Sequence, residues 1–464
     1  MMKLKGRNFS HFLQRNKLII LLFLSSTSFF LYQHKNYWSW DFSAYFLNAE
    51  YWLNDGNYFE WYRPPLTPLL LGIFGILNWK LSEYLYIIFV STLFTFSCLK
   101  FGKVFVGKDP TLFYALMLSP FLLSNGLFAG TELLSLTFLL LFLSYFQNPV
   151  KSGINLALSC LTKYTNFSVL LSLIFYRNLR KVFIFILTFI LLLLPWLLFN
   201  YLIKGHSLTS IGNSYAMNIK YRDYIHQGID LSVFLKIVNV YLPFFLIGLY
   251  LKLKKIDRKT LLILLISLLT LFSFFSIPIK DERYLFNLAL TIPYFSIFGL
   301  YHFKSKKLFK VLRIFFLIFP FISILYLSFN LEITHLEMYK KIAEEADDCM
   351  IQSNRWVILN YFGATSEPLS RGQLLQKKLD EGYHIIIFKN EEGFENLKAL
   401  NYSKNFVKKE NESFIWLKDE RKCKEKHKVD STYLERLHEQ FPEIDPDPCK
   451  ALLPSLICEK FKFL

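Results

Sequence analysis

Charged residues are scarce in this sequence. They make up 19% of the 464 residues, whereas 53% are hydrophobic and 18% are aromatic, and the mean hydropathy is +0.31. A soluble globular chain carries about 25% charged residues. The deficit excludes an ordinary soluble globule and indicates that a lipid bilayer is the solvent for much of the chain.

Negative charge is scarcer still, with 36 Asp and Glu against 53 Lys and Arg and a net charge of +17. A basic surface can indicate nucleic-acid binding, but most of these basic residues fall in short loops between apolar runs, so they offer no continuous phosphate track. We therefore expect no nucleic-acid partner. By the positive-inside rule, we place the N-terminus and these basic stretches in the cytoplasm: 100–108, Lys151, 177–181, 252–259 and 304–313.

The apolar runs predict an α-helical polytopic membrane protein with about eleven transmembrane helices. They lie at 17–33, 84–101, 111–128, 132–147, 153–163, 164–176, 182–203, 232–251, 259–278, 284–302 and 308–330. The pair at 153–176 is short, since an upright helix needs about 20 residues. The stretch 65–79 is assigned to an interfacial or re-entrant helix on the outer face, because a crossing there would invert every later loop.

An odd number of crossings places the polar C-terminal region outside the cell membrane. We divide the chain into a transmembrane domain, 1–330, and an extracytoplasmic α/β domain, 331–464, with strands in RWVILNYF and YHIIIFKN, a helix in LLQKKLDEG and an irregular tail from 418. The four cysteines of this domain could form two disulfides in any of three connectivities, or remain free thiols: Cys349, Cys423, Cys449 and Cys458.

The first outer loop, 34–64, holds the strongest candidate for chemistry. Asp41 lies within ten residues of the first span, among the aromatic residues Trp38, Trp40, Tyr45, Tyr51 and Trp52. A carboxylate in such surroundings can act as a base for a hydroxyl once substrate excludes water. An equally weighted alternative is a cap on the helix FSAYFLNAEYW, with the aromatics forming a membrane-interface belt.

This loop resembles a known family. The Asp41 helix, Gly56 and the string Arg63-Pro64-Pro65-Leu66 are similar to the first outer loop of the GT-C glycosyltransferases of the protein O-mannosyltransferase and aminoarabinose transferase type. In that family an acidic residue at the Asp41 position lies at the active site. The resemblance implies that Asp41 is the catalytic base and that Tyr45 and Arg63 contact the acceptor or shape the loop.

The sequence Ala129-Gly130-Thr131-Glu132-Leu133 resembles the family's short turn with an acid opening the next span. Glu132 would then be a second catalytic acid on the outer face, although a helix-capping role is the alternative. Asp41 and Glu132 are also the candidate ligands for a divalent cation, Mg²⁺ or Mn²⁺, although Phe42 stands where the family often has a second acid. No cofactor is certain from the sequence.

Two further matches concern the donor phosphate. Lys163 in Thr-Lys-Tyr, and Lys280, Arg283 and Tyr284 in KDERY, are similar to the family's phosphate-binding positions. Lys280 and Arg283 would lie one helical turn apart and face one phosphate. The alternatives are snorkelling of Lys163 and a surface charge cluster around Arg283.

The resemblance implies inverting transfer of a hexosyl or mannosyl group from dolichyl- or undecaprenyl-phosphate to a hydroxyl of a protein, lipid or glycan at the outer face, among membrane lipids. No Gly-rich nucleotide loop is found in the sequence, which agrees with a lipid-linked donor. A lipid-carrier flippase or transporter is the alternative, and it predicts mid-membrane charges and an inverted repeat. A non-enzymatic scaffold would instead leave Asp41, Glu132 and Arg283 far apart.

Overall fold

The computed structural model describes residues 6–464 except 108, 222–227, 229, 304, 347–348, 390, 392–393, 395–399, 401–405, 420, 453–457 and 459–464. Fifteen of the described α-helices precede residue 331. They are α1 Gly6–Asn36, α2 Trp40–Leu53, α3 Leu66–Leu77, α4 Trp79–Phe101, α5 Pro110–Met117, α6 Pro120–Asn125, α7 Glu132–Ser144, α8 Pro149–Thr162, α9 Leu179–Lys204, α10 Thr209–Tyr215, α11 Leu231–Val238, α12 Leu242–Lys254, α13 Arg258–Ser276, α14 Leu288–Tyr301 and α15 Lys306–Phe329. Three 3₁₀-helices and two π-helices join them: Tyr164–Phe175, Asn239–Tyr241 and Glu282–Leu285, and Gly102–Val106 and Ala216–Lys220.

Five segments among the described residues are long and apolar enough to cross a membrane. They are Trp79–Val106, Leu179–Lys204, Leu231–Lys254, Arg258–Ser276 and Lys306–Phe329. Shorter apolar helices occupy Leu66–Leu77, Glu132–Ser144, Tyr164–Phe175 and Leu288–Tyr301. The predicted run 111–128 is divided into α5 and α6, because Ser119 caps a new helix that Pro120 begins. The predicted membrane-protein character and helical fold class are confirmed.

The short predicted pair at 153–176 consists of two different kinds of helix. Helix α8 has 14 residues, which span about 21 Å at about 1.5 Å per residue. The next 12 residues, Tyr164–Phe175, are a 3₁₀-helix, which spans about 24 Å because this helix rises about 2.0 Å per residue. The tighter winding therefore lengthens a segment that would reach only about 18 Å as an α-helix.

The predicted cytoplasmic loops meet at one end of the bundle. Arg313 binds Asp109 at 2.6 Å, Arg258 donates to the carbonyl of Phe175, and Lys259 donates to the carbonyl of Val104. Basic side chains from α13 and α15 thus join loops that are far apart in sequence. This grouping agrees with one basic end, while its cytoplasmic side stays a prediction.

Helices α12 and α14 pack closely at a point where each of them has a glycine. A Cβ atom added to Gly248 would lie 1.8 Å from the carbonyl oxygen of Phe295, and one added to Gly299 would lie 2.0 Å from that of Phe244. Side chains are impossible at these two positions without separating the helices. Close backbone approach through small residues is a common way for helices to pack within a bilayer.

The C-terminal part is an α/β domain, as predicted. Its strands are β1 Ile351–Ser353, β2 Ser366–Pro368, β3 His384–Phe388, β4 Phe406–Glu410 and β5 Phe414–Asp419, in the order β2-β1-β3-β5-β4. Strand β1 runs parallel to β2 and β3, and β5 runs antiparallel to β3 and β4. Its helices are α16 Glu337–Glu345, α17 Trp356–Tyr361, α18 Gly372–Asp380, α19 Tyr433–Gln440 and α20 Pro448–Leu452.

Two predictions for this domain are wrong. RWVILNYF is not a strand but contains α17, since its continuous apolar run fits a buried helix as well as a strand. The tail is not wholly irregular, because α19 begins with a capping box in which Thr432 and Glu435 bond each other's backbone. Strand β3 and helix α18 lie where YHIIIFKN and LLQKKLDEG predicted them.

The first outer loop and the C-terminal domain share one hydrophobic core. Ala44, Leu47 and Tyr58 of the loop are buried with residues of the sheet and of α17 and α18. Tyr58 also forms a parallel bridge with Val429, whose amide donates to the Asn57 carbonyl at 2.7 Å. The C-terminal domain is therefore fixed on the loop that carries Asp41.

The four cysteines of the C-terminal part are paired as Cys349–Cys423 and Cys449–Cys458. Their separations are 74 and 9 residues, so in the chain-entropy account the first bond stabilises by about 4 kcal/mol and the second by about 3 kcal/mol.

Replacing Cys349 and Cys423 by Ala is therefore expected to destabilise the C-terminal domain more than replacing Cys449 and Cys458. Limited proteolysis at increasing urea measures the difference. Equal midpoints for the two double variants would contradict this ranking.

Candidate active site

Asp41 lies in the first turn of α2, whose N-terminus is capped by Ser39. Its carboxylate accepts a hydrogen bond from Arg63 at 2.8 Å through one oxygen and is paired with Arg283 through the other. Burial favours the neutral form, but the guanidinium groups of Arg283 and Arg63 outweigh it and hold the pKa of Asp41 well below its usual range. Asp41 is therefore an ion-paired carboxylate, while Ser39 supplies the cap.

Arg63 also pairs through its Nε with Glu60, which is 1% exposed. Tyr58 donates to Glu60, and the indole nitrogen of Trp356 in α17 donates to the Tyr58 hydroxyl at 2.6 Å. The Arg63 guanidinium also lies 4.9 Å from the ring centre of Tyr45. A continuous chain of polar contacts thus joins the C-terminal domain to the carboxylate of Asp41.

Arg283 lies in the 3₁₀-helix Glu282–Leu285, which Asp281 caps. Its Nε lies 2.9 Å from Asp281, and its guanidinium lies 5.6 Å from the ring centre of Tyr284. The predicted helical pairing with Lys280 is wrong, because residue 280 precedes the helix. The Lys280 ammonium donates to the carbonyls of Phe274, Phe275 and Ile277 at the end of α13.

Glu132 begins α7 after a tight turn. Gly130 has a φ of +82°, and a Cβ atom there would lie 2.9 Å from the ring of Phe42, the neighbour of Asp41. The glycine lets this turn pack against α2. Glu132 is buried and accepts hydrogen bonds from Thr131 at 3.0 Å and from Lys163 at 3.4 Å.

Lys163 occupies the extended residue between α8 and the 3₁₀-helix that follows. Its ammonium also donates to the carbonyl of Arg283 at 3.3 Å and lies 5.9 Å from the ring centre of Tyr284. Lys163 therefore points to the predicted site and pairs with an anion, instead of snorkelling away from it.

These side chains line one cavity of about 1340 Å³. The lining includes Asp41, Tyr45, Arg63, Glu132, Lys163, Arg283 and Tyr284 but not Lys280. A scaffold without catalytic function predicted that Asp41, Glu132 and Arg283 lie far apart, and the structure contradicts this.

Sequence reasoning missed the wall that closes the cavity, which the C-terminal domain supplies. It includes Gln352, Arg355, Glu367, His427, Asp430 and Arg436. No local motif connects these residues to the first loop. The one readable signal was the Thr432-x-x-Glu435 capping box, which predicts an ordered helix beside the wall.

The two acids do not form a ligand set for a divalent cation in this arrangement. Both oxygens of Asp41 are bound by arginine, and both oxygens of Glu132 are bound by Lys163 and Thr131. Within the described residues, no group of three His, Cys, Asp or Glu side chains could hold a metal ion. We therefore assign no reaction step to a cation.

A second carboxyl on α2 gives the fold a pH dependence. Burial, with a smaller contribution from the Glu83 carboxylate, raises the pKa of Glu50 from 4.5 to about 7. Because the folded protein holds the Glu50 proton more tightly than the unfolded chain does, protonation of Glu50 favours the folded state. This stabilisation is complete below pH 4.5 and is lost as the pH rises through about 7.

Glu50→Gln is expected to weaken the fall in thermal stability between pH 5.5 and pH 8. The check is the difference between wild-type and variant unfolding midpoints at these two pH values. Asp55→Asn is the matched control on the same loop, because Lys428 lowers the pKa of this exposed carboxyl and leaves it ionised throughout. Parallel pH profiles for wild type and Glu50→Gln would exclude Glu50 as the source.

No protein-family model and no curated protein matches the sequence, but solved structures match the fold. ArnT from Cupriavidus metallidurans bound to undecaprenyl phosphate is similar with a TM-score of 0.64 and 10% identity, over 87% of this chain and 98% of that chain. The apo oligosaccharyltransferase of Archaeoglobus fulgidus is similar with a TM-score of 0.59 and 10% identity, over 80% of this chain and 69% of that chain. Both are GT-C membrane proteins, so the predicted GT-C fold is confirmed.

Proposed function

We propose that this chain, which has the GT-C fold, is a membrane glycosyltransferase that uses a polyprenyl-phosphate sugar as its donor. The observation that carries the proposal is the convergence of a carboxylate, Asp41, with the cations of Arg283 and Lys163 on one cavity. The similar fold of ArnT has been solved with undecaprenyl phosphate bound, which supports a lipid-phosphate donor here.

The donor phosphate would bind Arg283, Lys163 and Tyr284. Arginine offers a planar fork that matches phosphate oxygens, lysine a point charge, and the tyrosine hydroxyl a further donor. Lys280 is left out of this set because its ammonium is engaged at the end of α13.

In the proposed reaction the acceptor oxygen forms a bond to the anomeric carbon as the bond from that carbon to the phosphate oxygen breaks. Attack from the opposite face inverts the configuration. The acceptor proton passes to Asp41, and the polyprenyl phosphate leaves with the bonding electron pair. Glu132, held next to Lys163, would position that cation beside the phosphate.

Donor binding would also activate Asp41. With both arginines bound, the pKa of Asp41 is depressed and the carboxylate is a weak base. A phosphate that draws Arg283 away would leave only Arg63 on the carboxylate, and the basicity of Asp41 would rise. Proton removal would then be linked to the presence of donor.

The acceptor hydroxyl would enter from the outer side, where Tyr45 and Arg63 adjoin the wall of the C-terminal domain. The acceptor would be a protein, lipid or glycan on the extracytoplasmic face, and the transferred group a hexose such as mannose. The sequence resemblance supports this assignment.

The test is transfer by purified protein in nanodiscs, with dolichyl- and undecaprenyl-phosphate sugars supplied separately and a nucleotide sugar as the matched control. The expected result is acceptor labelling from a lipid-linked donor alone. Labelling from the nucleotide sugar alone would overturn the donor assignment. Movement of the lipid across proteoliposomes without any covalent product would instead identify a flippase.

A further inference from the structure

A buried polar network adjoins the cavity, and its centre is Asn166, whose chain neighbours Thr165 and Phe167 line the cavity. The Asn166 side chain is 1% exposed. Its amide nitrogen donates to the hydroxyls of Ser135 and Ser159, each at 2.7 Å, and its carbonyl oxygen accepts from Asn287 at 3.0 Å. These three bonds use both the donor and the acceptor sides of one amide.

Each partner of Asn166 belongs to a segment that presents a residue of the cavity. Ser135 lies in α7, three residues after Glu132. Ser159 lies in α8, four residues before Lys163, which directly follows that helix. Asn287 follows Arg283 by four residues and precedes α14. Asn166 itself lies in the first turn of the 3₁₀-helix Tyr164–Phe175, where its backbone N–H donates to the Lys163 carbonyl at 3.1 Å.

The network also ties the helices to each other without Asn166. The Ser159 hydroxyl donates to the Ser135 carbonyl at 3.0 Å, and the Lys163 amide donates to the Ser159 carbonyl at 2.9 Å. Loss of the Asn166 side chain would therefore leave α7 and α8 in contact. The same loss would remove the hydrogen bond through which Asn287 fixes the Arg283 segment relative to α7 and α8.

We propose that Asn166 is a positioning residue which sets the mutual placement of Glu132, Lys163 and Arg283, an inference that rests on the proposed function. A buried amide with both donor hydrogens and its oxygen engaged is rigid, because an alternative orientation leaves polar groups unpaired in an apolar medium. Reacting groups misplaced by about 1 Å can cost about 100-fold in rate. Asn166 would act without touching substrate.

The chain offers a matched control in a second buried network. Tyr114 in α5 accepts from Thr95 in α4 at 2.9 Å and lies 3.5 Å from the Ser26 hydroxyl in α1. No described side chain of α1, α4 or α5 lines the cavity. Tyr114→Phe therefore removes a comparable buried polar centre from a part of the bundle that does not present the site.

Two measurements test the proposal. The first is kcat and KM for an undecaprenyl-phosphate sugar, for which Asn166→Ala is expected to lose about 10- to 100-fold in kcat/KM and Tyr114→Phe to stay near wild type. The milder Asn287→Ala variant frees only the Arg283 segment. It is expected to raise KM for the donor more than it lowers kcat.

The second measurement needs no activity. Lys163→Cys with Arg283→Cys, a pair that reports the placement of the Arg283 segment relative to α8, is made in a background where the free thiols Cys98 and Cys160 are replaced by Ala, and is treated with a short bifunctional thiol reagent. Cross-linking is expected to fall several-fold when Asn166→Ala is added and to persist when Tyr114→Phe is added. Unchanged cross-linking with Asn166→Ala overturns the proposal.

The two readouts also separate this inference from the proposed function. A wild-type protein that transfers no sugar refutes the proposed function, while the cross-linking still decides the role of Asn166. If Asn166→Ala does not fold, Ser135→Ala removes one of its two acceptors and takes its place in both measurements. Wild-type values for that variant and for Asn287→Ala would then overturn the proposal.

Discussion

Asp41→Asn is expected to lower the rate of sugar transfer by about 100- to 10,000-fold, the range for loss of a general base. The amide keeps the shape of the side chain but cannot accept a proton. It also leaves Arg63 and Arg283 as neighbouring cations without the carboxylate that pairs with both of them. The measurement is kcat and KM for an undecaprenyl- or dolichyl-phosphate sugar in nanodiscs, and the main loss should be in kcat.

Asp281→Asn is the matched control, because Asp281 also pairs with Arg283. Its side chain is 37% exposed, and an exposed ion pair contributes about 1 kcal/mol or less, so the loss should not exceed about fivefold. If Asp41 acted only by orienting Arg283, the two variants would have similar rates. Transfer by Asp41→Asn at the wild-type rate would exclude Asp41 as the base.

Arg283→Ala is expected to lower kcat/KM by about 100- to 1000-fold, the cost of removing one donor that stabilises developing charge. Arg283 would bind the donor phosphate and stabilise the charge that grows on it as the sugar leaves. Arg283→Lys should recover only part of this loss, since an ammonium cannot make the two parallel bonds of a guanidinium. Undecaprenyl phosphate binding should weaken in parallel.

Lys280→Ala is the control for Arg283→Ala, because the two residues are three positions apart in the sequence and carry the same charge. Lys280 should affect stability, not transfer, since its ammonium satisfies carbonyls at the end of α13 and such a bond contributes about 1 kcal/mol. Equal losses of transfer in Lys280→Ala and Arg283→Ala would support the sequence prediction that Lys280 and Arg283 bind one phosphate together. It would also contradict the assignment of phosphate binding to Arg283, Lys163 and Tyr284.

The sequence predicted the membrane half well because its signals are local. Apolar runs mark the helices, and their alternation with basic loops predicted that Asp41, Glu132 and Arg283 lie on one side of the membrane; in the structure the three residues line one cavity. The position of Lys280 was wrong because its prediction assumed a regular helix from residue 280, whereas the 3₁₀-helix begins at Glu282. Hydropathy also cannot distinguish an α-helix from the more extended 3₁₀-helix at Tyr164–Phe175.

Local sequence signals did not predict the wall of the cavity that the C-terminal domain supplies. Tyr58 and Val429 are bridged across about 370 residues of sequence, and pairing at this distance depends on the assembled fold rather than on any neighbouring pattern. Asn166 illustrates the same limit. It lies in the largely polar stretch KYTNFS, which does not indicate that Asn166 is buried, and its three partners come from three different segments.

The bridge between residue 58 and residue 429 has a consequence for biosynthesis. A growing chain can insert the membrane helices up to Phe329 and still lack the enclosure around Asp41, because Val429, in the segment that completes it, follows about 100 residues later. Premature termination before Val429 would release a protein with its membrane helices but with the Tyr51 hydroxyl and the Trp61 indole nitrogen both lacking their acceptor, Asp430. Competence would thus be acquired only after Val429 has been synthesised and has paired with Tyr58.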